Sequence, residues 1–385
     1  MKEQLVYVDR QNTGSVKWDG MKEKYGRDDL LCLWVADMDF KSPRCVQEAL
    51  QRQIDCGAYG YSILGADFTD AFVDWEQHHH GYTVQKEWVR YAPGVVSALY
   101  WCVSSMTDAG DAVMALPPVY YPFFHAIEET GRKLVLSPLT QKADGRYTPD
   151  LKDMEEKILN EHVKMLIFCS PHNPVGRVWT RKELKAVAEL CARYNVILIA
   201  DEIHQDFVYA DNVQIPLGTV ASGRVVTLTS PSKTFNLAGL QNAAAVLPDE
   251  ELRAKWDAYT QRISVTNGSS LGYAAGTAAY REGAPWLEAL KEQIYGNYLC
   301  LRDTLLKVLP RLQVAPLEGT YLMWIDFGAY VKPEEMQNFF ENRCRIAIDY
   351  GDWFKGEANT FARFNLATSR ERIEEAARRI LAALA

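Results

Sequence analysis

Six short, almost uninterrupted apolar runs limit what this chain can become. They lie at residues 112–116, 133–136, 165–169, 196–200, 225–229 and 243–247. A strand with one wet face alternates apolar and polar residues, so runs without alternation are buried on both faces. Helical patterns separate many of them, at 95–106, 121–130, 151–159 and 182–194. Apolar strands alternating with amphipathic helices predict an α/β fold with a mostly parallel central sheet. The last hundred or so residues change character. A long helical pattern at 285–309 leads to weaker strand patterns at 312–314, 321–326 and 361–366, and a charged helix starts at Arg370. That stretch predicts a smaller α+β unit.

Length and composition narrow the class. The chain has 385 residues, which at about 150 residues per domain gives two to three domains. Hydrophobic residues make up 48% and charged residues 24%, as in ordinary globular proteins, so disorder and collagen-like repeats are excluded. The net charge of −8 argues against nucleic-acid or membrane-surface binding, because phosphates demand an excess of Lys and Arg. No apolar run approaches a membrane span. Eight scattered cysteines without a Cys-x-x-Cys pair read as reduced, mostly buried thiols. The first residues lack an apolar signal region, and the expected location is the cytoplasm. Aromatics, at 11%, point to pockets for planar groups or to a subunit interface.

Ligands of such sheets sit beyond the carboxyl ends of the strands. Those ends read Pro117-Pro118-Val119-Tyr120-Tyr121, Ser170-Pro171-His172-Asn173-Pro174, Asp201-Glu202-Ile203-His204 and Ser230-Pro231-Ser232-Lys233-Thr234. An aromatic, an amide, a carboxylate and a lysine thus converge on one crevice. They suit a flat, anionic, electrophilic group. Asp201 at the end of an apolar strand is costly to bury without a partner. Gly94, Val95 and Val96 open a helix whose N–H groups can hold an anion.

These residues resemble fold-type-I pyridoxal phosphate enzymes of the aminotransferase class I/II superfamily. Ser15-Val16-Lys17-Trp18-Asp19, Leu33-Trp34-Val35-Ala36-Asp37-Met38-Asp39-Phe40 and the string from Ser230 to Leu240 are similar to the MalY/PatB branch, the cystathionine β-lyases or C–S lyases. The resemblance covers nearly the whole chain. It implies the aspartate aminotransferase fold, with a large pyridoxal phosphate-binding domain at 48–287 and a small domain made of 1–47 plus 288–385. It implies a carbon–sulfur β-lyase acting on cystathionine, cysteine or S-substituted cysteines. The alternatives are an aminotransferase, or a lyase that also binds a regulatory protein.

The resemblance also assigns roles. Lys233 forms the Schiff base with the cofactor and moves the substrate's Cα proton. Asp201 faces the pyridine nitrogen, and Asn173 the 3′-oxygen. His204 either shares that contact or caps its loop. Tyr120 stacks on the ring, although adjacent Tyr121 leaves the register open by one. Gly94, Val95, Val96, Ser230 and Ser232 hold the phosphate. Gln241 stands where many aminotransferases carry a further arginine. Tyr61 crosses to the phosphate of a second subunit, so a homodimer with interfacial active sites is expected. Arg363 clamps the substrate carboxylate with help from Trp34, Val35, Ala36 and Asn173.

Other motifs weigh less. Ser230-x-x-Lys233 also fits a β-lactamase signature, but its companion strings are missing from the sequence. Gly268-Ser-Ser270-Leu-Gly272 resembles a nucleophile elbow, yet all seven histidines precede residue 205, so no triad follows in the required order. That run is expected to allow close packing before a helix. His78-His79-His80 cannot easily share one metal ion on a helix and reads as a solvated helix end.

Overall fold

A computed structural model describes residues 3–384. Its centre is a seven-stranded sheet in the order Val89–Ala92, Ala243–Val246, Val225–Thr229, Ile197–Asp201, Met165–Cys169, Ala112–Ala115, Lys133–Leu136. Ala243–Val246 runs antiparallel to both neighbours, and the remaining pairs are parallel. The expected mostly parallel α/β sheet is therefore present. Both faces are covered, which explains the missing alternation. Leu166 and Phe168 pack into one apolar layer, while Met165, Ile167 and Cys169 pack into the other.

One boundary matters for chemistry. The fourth strand was expected to stop at residue 200, but it includes Asp201, paired in register with Cys169. Asp201 is thus held by the ladder itself, at the strand's last position. The Val89–Ala92 strand and the helices Arg44–Cys56 and Glu250–Arg262 had no assigned pattern in the sequence, and of the helices Ala66–His80 and Ser270–Glu282 only the end of the first and the start of the second were expected.

The C-terminal stretch forms a four-stranded antiparallel sheet in the order Gln313–Val314, Leu322–Asp326, Phe361–Asn365, Asp349–Tyr350. The N-terminal segment joins this side through Leu31–Cys32, which pairs in parallel with Ile346–Ala347. Its anchor is an ion pair between Lys17 and Asp39 at 2.9 Å, with both side chains fully buried. Trp18 Nε1 donates to the same carboxylate at 3.0 Å. Among the described residues no helix is long and apolar enough to cross a membrane.

Candidate active site

The carboxyl ends of the central strands open into a cavity of about 190 Å³. Tyr120, Asn173, Asp201, His204, Ser230, Ser232, Lys233, Gly94, Val95, Val96 and Ala36 all line it. The topology brings them together from stretches far apart in the chain. Tyr121 does not line it; its ring packs against Trp353 and Phe354, which settles which of the two tyrosines faces the cavity.

The helix Val95–Met106 begins at the cavity wall with no side-chain cap. Its first backbone bond runs from Ala98 N–H to Gly94 O at 2.9 Å. The N–H groups of Val95, Val96 and Ser97 precede that bond, so they are free to hold an anion. Ser232 lines the same corner. Ser230 is committed elsewhere: its hydroxyl donates to Asn242 O at 2.6 Å and accepts from Ser232 N–H at 3.1 Å. It shapes the turn that carries Lys233, and reaches a phosphate only by giving up the Asn242 bond.

Lys233 sits in the short helix Pro231–Thr234. Its amine donates to Ala36 O. Burial pushes the ammonium down to about 8, with Arg363 adding to the fall and Asp37 and Asp201 opposing it. Asp201 accepts one bond, from Ile203 N–H at 3.2 Å, and burial pushes its carboxyl up to about 7. A cationic N–H in the cavity would hold it ionised. His204 is buried, with Nδ1 unpartnered, and burial together with Lys233 and Arg363 keeps the ring neutral. An imidazole in that state can donate or accept one hydrogen bond inside the cavity.

Arg363 stands just behind the wall. It donates to Asn173 Oδ1 at 2.9 Å and to Trp34 O at 3.2 Å. A close ion pair joins it to Asp349 on the neighbouring strand, directly opposite in register. Trp34 and Val35 do not line the cavity. Their carbonyls serve Arg363 and Asn365, the latter at 2.6 Å. Carbonyl oxygens accept and cannot bind a carboxylate, so the donors this corner offers are the Arg363 guanidinium and backbone N–H groups such as that of Ala36, which lines the cavity. Tyr61 is fully exposed and lies outside the cavity of its own chain, beside exposed Tyr59 and Ile63.

Several lining residues carried no sequence signal. Cys169 lines the wall with its thiol pushed up by burial, accepting from Asn173 N–H at 3.4 Å. Asn242 is buried with its Oδ1 unpartnered. Behind the wall, Asp349, the partner of Arg363, lies in a two-residue strand with no pattern to betray it. The Gly268–Gly272 run does allow close packing. A Cβ at Gly272 would meet Leu240 O at 2.7 Å, and one at Gly268 would meet the Tyr91 ring at 2.4 Å. His80 departs from the expected solvated helix end. Its side chain is 5% exposed and pairs with Asp206 at 2.8 Å.

An uncapped helix terminus, a buried carboxylate with no ion pair at bonding distance, a neutral imidazole and a lysine of lowered basicity form a set of groups that fits a flat phosphate-bearing pyridine aldehyde. The fold and cavity together define the class. The chain belongs to the aminotransferase class I and II family, whose profile matches residues 28–380. Within it, the chain is 37% identical over 380 residues to cystathionine beta-lyase PatB of Bacillus subtilis, covering 98% of each protein. It is 32% identical to protein MalY of Escherichia coli, covering 96% of this chain and 95% of that one. The PLP-bound C–S lyase of Staphylococcus hominis superposes with a TM-score of 0.93 at 31% identity, covering 98% of this chain and 97% of that one.

Proposed function

We propose that this protein is a pyridoxal phosphate-dependent carbon–sulfur β-lyase, converting an S-substituted L-cysteine and water into a thiol, pyruvate and ammonia. The observation that carries the reading is the convergence of Lys233, Asp201, Asn173 and the bare helix N-terminus on one cavity. The likeness to cystathionine beta-lyases and a C–S lyase over nearly the whole chain selects the reaction within the family. When bound, pyridoxal phosphate supplies an aldehyde that condenses with amines and a ring that accepts electron density from the adjoining carbon.

The chain's own residues supply the rest. Val95, Val96 and Ser97 N–H groups, with Ser232, anchor the phosphate. Asp201 holds the ring nitrogen protonated, and Asn173 with His204 faces the 3′-oxygen. Tyr120 covers one ring face. Arg363 takes the substrate carboxylate as a planar two-donor fork. Lys233 is neutral often enough near pH 8 to accept the Cα proton. Loss of that proton drives electrons toward Cβ, and the C–S bond breaks with the pair leaving on sulfur.

The site lies between a large unit, residues 48–287, and a small one formed by 1–47 with 288–385. A homodimer completes it, with Tyr61 reaching the partner's phosphate group. The exposed Tyr59, Tyr61 and Ile63 support such an interface.

Incubation with L-cystathionine and pyridoxal phosphate tests the reaction. Pyruvate and thiol should form in equal amounts without any 2-oxo acid acceptor. Turnover that requires an acceptor and releases no thiol would instead make the protein an aminotransferase.

A further inference from the structure

The turn after the Ile197–Asp201 strand has two sides. Asp201 and His204 face the cavity. Gln205 and Asp206 point the other way and bond the helix Ala66–His80, while Glu202 accepts from Leu217 N–H at 2.7 Å. Asp206 is buried there, and its carboxylate takes three donors. Trp75 Nε1 lies at 3.0 Å and His80 Nε2 at 2.8 Å from Oδ1, while Thr234 Oγ1 donates to Oδ2. Gln205 Nε2 donates to Glu76 Oε1 at 2.6 Å, one helical turn before His80. The His79 ring stacks on Trp75 with centroids 3.7 Å apart.

Thr234 is fully buried and follows Lys233 in the chain. Lys233 therefore sits on a four-residue turn held at both ends. Ser230 caps the front, tied to Asn242 O. Thr234 ties the back to Asp206, and through it to His80 and Trp75. A buried carboxylate with three donors is rigid, because losing any one leaves charge uncompensated. Rigidity at this point acts on one thing at the cavity: the direction in which the Lys233 side chain leaves the backbone.

We propose that the His80–Asp206–Thr234 chain is a positioning device. It transmits the placement of the Ala66–His80 helix to Lys233 and fixes its amine against the cofactor aldehyde and the substrate Cα. The proposal rests on Lys233 being the residue that bears the cofactor. Thr234, His80 and Asp206 touch neither cofactor nor substrate, so they act through Lys233. The charged and titratable groups facing His80 are Asp206, Glu76 and Glu202, with His79 beside it on its own helix. Burial works against a charged His80, but the bond and charge of Asp206 together with the charges of Glu76 and Glu202 outweigh it and lift the ring to about 9.

Thr234 gives the cleanest test, because Thr234→Val keeps the shape and removes the hydroxyl, while Thr234→Ser keeps the hydroxyl. Asp206→Asn disturbs three contacts at once and risks misfolding. The first readout needs no turnover: the pH midpoint of the visible absorbance of the protein loaded with pyridoxal phosphate, in the absence of substrate. Thr234→Val should move that midpoint by about half a pH unit or more. It should also lower kcat about tenfold, with KM within about twofold. Thr234→Ser should restore both.

A Thr234→Val protein with wild-type midpoint and kcat overturns the proposal. So does a Thr234→Ser protein as impaired as Thr234→Val. A wild-type chain that takes up no pyridoxal phosphate would end the cofactor reading and the proposal together. A coloured wild type beside an unaltered Thr234→Val removes the positioning role alone.

Discussion

The basicity of Lys233 is the sharpest quantitative consequence of the site. Burial and Arg363 pull it down against Asp37 and Asp201, to about 8. At pH 7.5 a group with that value is neutral in roughly a quarter of molecules, against roughly one in a thousand for an ordinary lysine. The nucleophilic fraction is thus on the order of two hundred times larger than on an open surface. The rate at which the apoprotein combines with added pyridoxal phosphate should follow that fraction. Measured by stopped-flow absorbance, it should climb tenfold per pH unit and level off near pH 8. Asp37→Asn is the informative perturbation. Asp37 opposes burial most strongly, and its charge is shared with Arg10 at 2.6 Å. Removing it should lower the midpoint by about 0.5–1 unit. A rate that climbs without a break past pH 10 would show that Lys233 is solvated, or is not the reacting amine. A midpoint that rises in Asp37→Asn would show that the charge balance is assigned backwards.

Three further outcomes follow from the same geometry. Arg363→Lys keeps the charge but loses the fork, and should cost about 2 kcal/mol, roughly thirtyfold in kcat/KM and mostly in KM; steady-state kinetics with an unchanged KM would remove Arg363 from the substrate site. The melting temperature of the apoprotein should fall between pH 6 and pH 8.5. Burial raises Glu76 and Asp201 to about 7 and Glu202 to about 8, so the folded state keeps protons that the unfolded chain has released, and their charging costs stability as pH rises. His80 adds in the same direction, its stabilising charge being lost as pH passes about 9, whereas Lys233 opposes the trend above about 8; a melting temperature that rises over that range contradicts the burial of these groups. Finally, Tyr61→Ala and Lys233→Ala proteins, each inactive alone, should regain activity when unfolded and refolded together, because a hybrid dimer then holds one site with both residues intact; no recovery despite hybrid formation would place Tyr61 in its own subunit's site.

What the sequence showed and hid follows from the distance over which each signal acts. A strand buried on both faces must be apolar throughout, and a polar group at its end stands out against that background. Asp201, Asn173 and Lys233 were legible for this reason, and so were six of the seven strands of the sheet. The helix Ser270–Glu282 was not. It packs so closely that glycines make its contacts: a Cβ at Gly276 would meet Phe68 at 2.7 Å and Asn242 Nδ2 at 3.0 Å. Small residues at an interface erase the apolar stripe that marks an amphipathic helix. Lys17 and Asp39 looked like members of a motif string and prove to be a fully buried ion pair.

His80 shows the limit most plainly. By local pattern a third consecutive histidine before Gly81 belongs to solvent, as exposed His78 and His79 do. Its partner Asp206 lies 126 residues away, in a turn whose other face was already taken up by the cavity. Nothing in either neighbourhood announces the pair; only the fold brings them together. Site residues that touch a ligand are delivered by strand ends and recur at predictable places in such a fold. The groups that hold them from behind are chosen by whatever helix happens to cover that side. A search confined to motifs therefore recovers the chemistry of Lys233 and the Thr234 beside it, and misses that Asp206 and His80 hold that threonine from behind and so set the direction of the lysine.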